Sequence, residues 1–261
     1  MINSIIIFGS GNVASHLVPA LLESNIKILQ IFSRNKDTAC KLAKLANADF
    51  VSDIKSILPS ADAYFFAMND LANTQIANSL NIEHGKIMVH TAGSLSMNIF
   101  MEKTNNYGVF YPFQTFSRDS DLDFSKVPIC LESSNDYCMN ELEGLADRLS
   151  CNHYKINEDE RKTIHLAGVF ACNFMNHTVY LGQNILENSG IPQSILMPLL
   201  EQSFNKIINR GAKDSQTGPA IRNDKISIEK HLEILQKNKN LYDLYKVLSE
   251  SINKTYNSNE D

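Results

Sequence analysis

An α/β architecture followed by an all-helical region is predicted by three features of this 261-residue sequence. Short apolar runs of strand length alternate with stretches of helical periodicity as far as residue 156. Most of those runs are apolar throughout instead of alternating, as strands covered on both faces of a parallel sheet are. From residue 157 onward only helical periodicity remains. The expected division is a sheet-containing domain over residues 1–156 and a helical domain over residues 157–261.

The elements follow in order. Residues 4–8 (Ser-Ile-Ile-Ile-Phe) are the first expected strand, and residues 12–23 carry Val13, Leu17, Ala20 and Leu21 at helical spacing. Further strands are expected at 26–32, 48–51, 63–68, 86–90, 108–111, 128–132 and 153–156, with helices at 37–46, 71–80 and 135–149. Beyond them lie expected helices at 158–187, 191–210, 226–236 and 241–256. Residues 211–224, with Gly218 and Pro219, form the main irregular stretch of that half. The helix at 158–187 is hydrophobic on several sides, which fits burial against a partner.

The first strand runs into Gly9-Ser10-Gly11-Asn12-Val13-Ala14 and then a helix. This is the dinucleotide-binding pattern of a Rossmann-type sheet, with Ala in its third small-residue place. Gly9 permits the tight turn, Gly11 leaves room for the pyrophosphate, and Ala14 lets helix and strand pack closely. The helix N-terminus offers unpaired N–H groups to phosphate. At the end of the second strand stands Ser33-Arg34 where NAD-selective folds usually place a carboxylate. A carboxylate repels a 2′-phosphate, whereas Ser33 and Arg34 can bind one, so NADP(H) is the expected cofactor. The alternative leaves Arg34 solvated and gives the ribose to Asp37.

Ligands of such sheets bind beyond the carboxyl ends of the strands. Ala67, Met68 and Asn69 follow the fourth strand, and His90 and Thr91 the fifth, where they are expected to line the cofactor site. Gly93, Ser94 and Gln114 are candidate substrate-binding residues in the loops after strands five and six. Thr91 and Ser94 could equally cap the next helix. His165 and Asn173 are eight residues apart, about 2.2 helical turns, and so share a face. They are the candidate catalytic pair, because a His and an Asn on an apolar face need partners. A satisfied contact in a helix interface is the competing reading. Arg222, in Thr217-Gly218-Pro219-Ala220-Ile221-Arg222-Asn223-Asp224, is a candidate substrate ligand or one half of an internal ion pair.

Bulk composition narrows the class. The formal net charge of −5 argues against a broad nucleic-acid or membrane-surface footprint. The five cysteines lack any Cys-x-x-Cys pair and fit reduced thiols. No metal site is expected. No leader-like or membrane-spanning run is evident, so a cytoplasmic location is expected.

Together these clusters resemble one family. It rests on residues 9–14, His90-Thr-Ala-Gly-Ser94, Tyr111-Pro-Phe-Gln-Thr-Phe116, residues 165–173, and Gly218-Pro-Ala-Ile-Arg-Asn-Asp224 with His231-Leu232. That family pairs a Rossmann-like domain with a C-terminal domain of unknown function and is often labelled as NADP oxidoreductase, similar to the deazaflavin-dependent kind. It is itself similar to the 6-phosphogluconate, β-hydroxyacid and pyrroline-5-carboxylate reductase group. The resemblance implies that the helical domain closes the cleft and builds a homodimer. Two departures stand out. Ala92 and Tyr111 replace the family's more frequent Ser and His. Val169 stands four residues before Asn173, where β-hydroxyacid dehydrogenases carry Lys. His165 is the nearby substitute, since histidine ordinarily titrates near physiological pH. The expected function is an NADP(H)-dependent oxidoreductase acting on a small polar metabolite, the alternative a non-catalytic NADP(H) sensor or scaffold.

Overall fold

The computed structural model describes residues 1–83 and 85–257. Eight strands form one sheet: β1 (Ser4–Phe8), β2 (Lys27–Phe32), β3 (Asp49–Val51), β4 (Ala63–Phe66), β5 (Ile87–His90), β6 (Asn106–Pro112), β7 (Ile129–Ser133) and β8 (His153–Lys155). Their spatial order is β3-β2-β1-β4-β5-β6-β7-β8. The sheet therefore reverses its winding beside β1, and a crevice opens at such a switch point beyond the strand ends.

The first helices cover both faces: α1 (Asn12–Glu23), α2 (Lys36–Ala46), α3 (Asp70–Ser79) and α4 (Asp136–Arg148). Alternation along β1 shows how the core divides. Ile5 and Ile7 pack into one apolar layer with Leu17, Leu21, Leu42 and Leu142. Ile6 and Phe8 enter the opposite layer with Tyr64, Phe66, Met88 and Phe100. Both faces being covered explains why β1 and β4 read as continuous apolar runs.

One strand pair departs from the expected parallel sheet: β6 runs antiparallel to β7. Parallel neighbours need a crossover, usually through a helix. The connection at 113–128 holds only a single 3₁₀ turn, Phe124–Lys126, and brings the chain back alongside the strand it left.

After β8, α5 (Glu158–Gly168) opens with a capping box. Asn157 Oδ1 accepts from the Glu160 N–H at 2.9 Å, and Glu160 Oε2 accepts from the Asn157 N–H at 2.8 Å. The long helix expected at 158–187 is continuous but not uniformly α. Residues Val169–Phe174 form a π-helical segment before α6 (Met175–Glu187). Such wide turns inside helices often accompany functional sites.

The chain divides into two compact units, Met1–His177 and Thr178–Asp261. The first part of the helical stretch thus folds with the sheet. The second unit contains the rest of α6, α7 (Met197–Arg210), α8 (Ala212–Ser215), α9 (Lys225–Leu235) and α10 (Lys239–Asn257). The short α8 falls inside the stretch expected to be irregular.

In the first unit, Arg161 of α5 is completely buried and pairs with Glu132 of β7, Nε to Oε2 at 3.0 Å. Its Nη1 donates to the carbonyls of Ala92 and Gly93 at 3.2 and 3.0 Å. Glu132→Leu strands a buried cation and is expected to cost about 3–5 kcal/mol. Adding Arg161→Met should recover most of that loss. Urea unfolding of the single and double variants measures both values. A double variant no more stable than Glu132→Leu would show that the carbonyl contacts, not the pair, hold this junction.

Candidate functional site

The glycine-rich turn sits where three strand ends meet. The Gly9 N–H donates to the Phe32 carbonyl at 2.8 Å, and the Ala67 N–H to the Phe8 carbonyl at 2.7 Å. Gly9 has φ +115°, and a Cβ there would strike the Ala67 carbonyl, so only glycine fits. Gly11 differs: a Cβ there would meet nothing within 4 Å. It borders open groove, which is the room a phosphate needs. The N-terminus of α1 has no side-chain cap, leaving its first N–H groups available to an anion.

A groove of about 400 Å³ runs along this turn. It is lined by Gly9, Ser10, Gly11, Ser33, Arg34, Ala67, Met68 and Asn69 among the expected cofactor residues. Phe32, Asn35, Thr38, Gln75, Ile76 and Arg118 join them. The Ser10 hydroxyl lies 3.0 Å from that of Ser33 and 2.6 Å from that of Thr38. Asn69 accepts from the Ala72 N–H at 2.9 Å and so caps α3.

A second cavity, of about 470 Å³, begins at the next residues of the turn. Asn12 and Val13 line it together with Tyr111, Phe113, Gln114, Thr115 and Phe116 from the end of β6 and the loop beyond. His165, Gly168, Val169, Cys172 and Asn173 form its helical wall. His165 and Asn173, expected to share a face, both line this cavity, with Asn173 inside the π-helical segment. The Tyr111 hydroxyl is 3.0 Å from His165 Nδ1. Burial pushes the Tyr111 phenol up to about 12, so it stays protonated and can donate. Gly93 makes the fit: a Cβ there would come within 2.5 Å of the His165 ring. Gly93 acts through this packing and is not among the cavity's lining residues.

Other expected site residues fall elsewhere. His90 is completely buried, and the Ala92 N–H donates to its Nδ1 at 3.1 Å. Burial, then the Arg161 charge, depresses it to about 3. His90 Nε2 and Arg161 Nη2 are buried polar atoms without a hydrogen-bond partner among the described residues. Thr91 is buried and bonds the Phe66 carbonyl through its N–H at 3.1 Å. Ser94 donates to Asp70 at 2.9 Å, tying its loop to α3. Ala14 is buried beneath the turn. Arg222 belongs to the second unit and is exposed there. Tyr111, Thr38 and Arg118 were not singled out as binding or catalytic residues. Their roles come from contacts between distant segments, and only the Tyr-for-His departure at 111 carried a local signal.

No group of three or more His, Cys, Asp or Glu side chains among the described residues could hold a metal ion. No described helix is long and apolar enough to cross a membrane.

Comparison with known proteins gives the following. Residues 4–93 match the family model for NADP oxidoreductase, coenzyme F420-dependent. Residues 127–252 match a domain of unknown function, DUF2520. A search of curated proteins gives no match. Among solved structures, a candidate NADP oxidoreductase of Bacteroides fragilis is 35% identical, with TM-score 0.91 over 97% of this chain and 98% of that one. A Thermotoga maritima protein is 23% identical, TM-score 0.72, over 96% and 97%. An imine reductase from Myxococcus stipitatus in complex with NADP⁺ is 15% identical, TM-score 0.65, over 97% and 95%. The last two likenesses are of fold.

The environment of His90 has a measurable consequence. Its folded pKa lies below the ordinary value of about 6.5, so the buried neutral ring contributes its full stability above that pH. That contribution should fall as pH drops toward 3, by about 1.4 kcal/mol per pH unit. NMR titration of the His90 ring should be flat from pH 8 to pH 5. An inflection near 6.5 would contradict the burial.

Proposed function

The chain belongs to the same family as the Bacteroides fragilis protein, an NADP-oxidoreductase-type N-terminal domain continued by a domain of unknown function. From that premise we propose that it is an NADP(H)-dependent oxidoreductase acting on a small polar metabolite at a carbonyl or imine carbon. The observation that carries this reading is the pair of cavities on consecutive residues of the glycine-rich turn. One has Ser33 and Arg34 in its wall, the other Tyr111, His165 and Asn173.

In this reading the groove holds the adenosine end of the cofactor and the second cavity receives the substrate. The reduced nicotinamide, when bound, supplies the hydride. The protein supplies position and a proton. In its protonated form His165 donates its Nδ1–H to the Tyr111 oxygen and hands the Nε2 proton to the substrate, which leaves a neutral ring. Asn173 holds the substrate oxygen or nitrogen. Val169 lies on the same wall, so no amine competes with His165 there. Lining the cavity are aromatic rings, amides and hydroxyls with no carboxylate, lysine or arginine among the described residues, which suits an uncharged reacting end. The sensor reading, favoured by Val169 alone, predicts NADPH binding with no turnover of any carbonyl or imine.

A panel of small ketones, aldehydes and cyclic imines, followed by NADPH absorbance, tests the activity. His165→Ala should lower kcat about 10²–10⁴-fold with NADPH affinity little changed. Equal kcat in the variant would remove His165 from the chemistry.

We also propose a homodimer through the helical region. None of α6 to α10 has a buried residue. Ile195, Leu199 and Ile208 are 64%, 62% and 78% exposed, more apolar surface than monomers usually leave in water. Light scattering should report twice the 29.3 kDa chain mass. A mass near 29 kDa at micromolar concentration would refute the dimer.

A further inference from the structure

The groove beside the glycine-rich turn contains two arginines, and only Arg34 follows from the local pattern at the end of β2. The other, Arg118, comes from the loop after β6, 108 residues beyond Ser10 in sequence. Its Nη2 donates to the Ser10 carbonyl at 2.9 Å. A guanidinium carries five N–H donors in a fixed fork, so this one bond fixes its place and leaves donors for a ligand.

The loop is held independently of any ligand. Asn12 Nδ2 donates to the Phe116 carbonyl at 2.9 Å, and His16 Nε2 is 2.8 Å from the Ser117 carbonyl. Those contacts pin residues 116–117 to α1 and deliver Arg118 to the groove wall. Arg118 and Arg34 both line the groove, and among the described residues no Asp or Glu does. Neither arginine has a carboxylate partner among the described residues. Among the described residues, an adjoining cavity that Arg118 also lines has one carboxylate, Asp37, and a further cation, Lys41. In a chain of net charge −5, the groove concentrates two positive charges beside the hydroxyls of Ser10, Ser33 and Thr38. Two arginines with clustered hydroxyl donors suit a phosphate monoester better than a neutral ribose.

We propose that Arg118 is a second phosphate-binding arginine that closes with Arg34 on the 2′-phosphate of NADP(H), and that it helps to determine the choice of NADP over NAD. This rests on the reading of the chain as NADP(H)-dependent.

Calorimetric titration with NADPH, NADH and 2′,5′-ADP tests it on the full-length parent, Arg118→Ala, Arg118→Lys and Arg34→Ala. Loss of one charged hydrogen-bond partner should weaken NADPH and 2′,5′-ADP about 10- to 100-fold. NADH should change by less than about threefold, with Arg118→Lys intermediate because its ammonium lacks the fork. Arg118 is exposed, so the melting temperature without ligand should stay within about 2 °C of the parent, which separates binding from folding. Unchanged NADPH affinity in Arg118→Ala would overturn the proposal and leave the cofactor reading intact. Equal weakening of NADPH and NADH would also overturn it, assigning Arg118 to the turn or the pyrophosphate. A parent that binds no NADPH would overturn the underlying reading itself.

Discussion

The buried ion pair of Arg161 and Glu132 is the constraint from which the candidate site follows. It ties the first turn of α5 to β7, while the same guanidinium holds the carbonyls of Ala92 and Gly93 after β5. His165 lies four residues further along α5, on the same face. The fixed first turn therefore sets where the His165 ring meets Gly93 and the Tyr111 hydroxyl. Burying such a pair contributes little net stability, because desolvation offsets most of the attraction. Burial indeed pushes the Glu132 carboxyl up, against the pull of Arg161. What the pair secures is registration between a helix and the ends of two strands.

A second set of contacts does the same for the other wall. Asn12, His16 and Arg118 join the glycine-rich turn and α1 to the loop after β6. Asn12 thus spends one side-chain N–H on the Phe116 carbonyl. Because that loop is pinned, Tyr111, Phe113 and Gln114 stand at the edge of the turn, and the groove and the second cavity share one backbone segment. This sharing is the structural basis for reading them as one site with two ends.

Much of this was legible in the sequence, for physical reasons that also explain the rest. Periodicity located the strands and helices because burial on one or both faces writes itself into spacing, as along Ile5, Ile6 and Ile7. Gly9 was legible because a positive φ admits little else. The antiparallel entry of β7 was hidden, since it depends on where the loop at 113–128 returns and not on the composition of the strand. The π-helical segment at Val169–Phe174 changes hydrogen-bond partners without altering the apolar pattern. His90 is harder to read: a polar residue at the end of an apolar strand looks accessible, yet its ring is packed against Phe100 at 6.0 Å between centroids. The contact of Tyr111 with His165 spans 54 residues, and no local pattern announces a partner at that distance.

On the proposed reading the cofactor lies along the groove, its phosphates at the glycine-rich turn, and its redox end meets the second cavity beside His165. A crystal structure of the protein soaked with NADP⁺ tests this most directly. The adenosine 2′-phosphate is expected beside Ser33 and Arg34, and the nicotinamide ring in contact with the cavity of Tyr111, His165 and Asn173. A cofactor bound with its nicotinamide away from that cavity, or in the reverse direction along the groove, would contradict it.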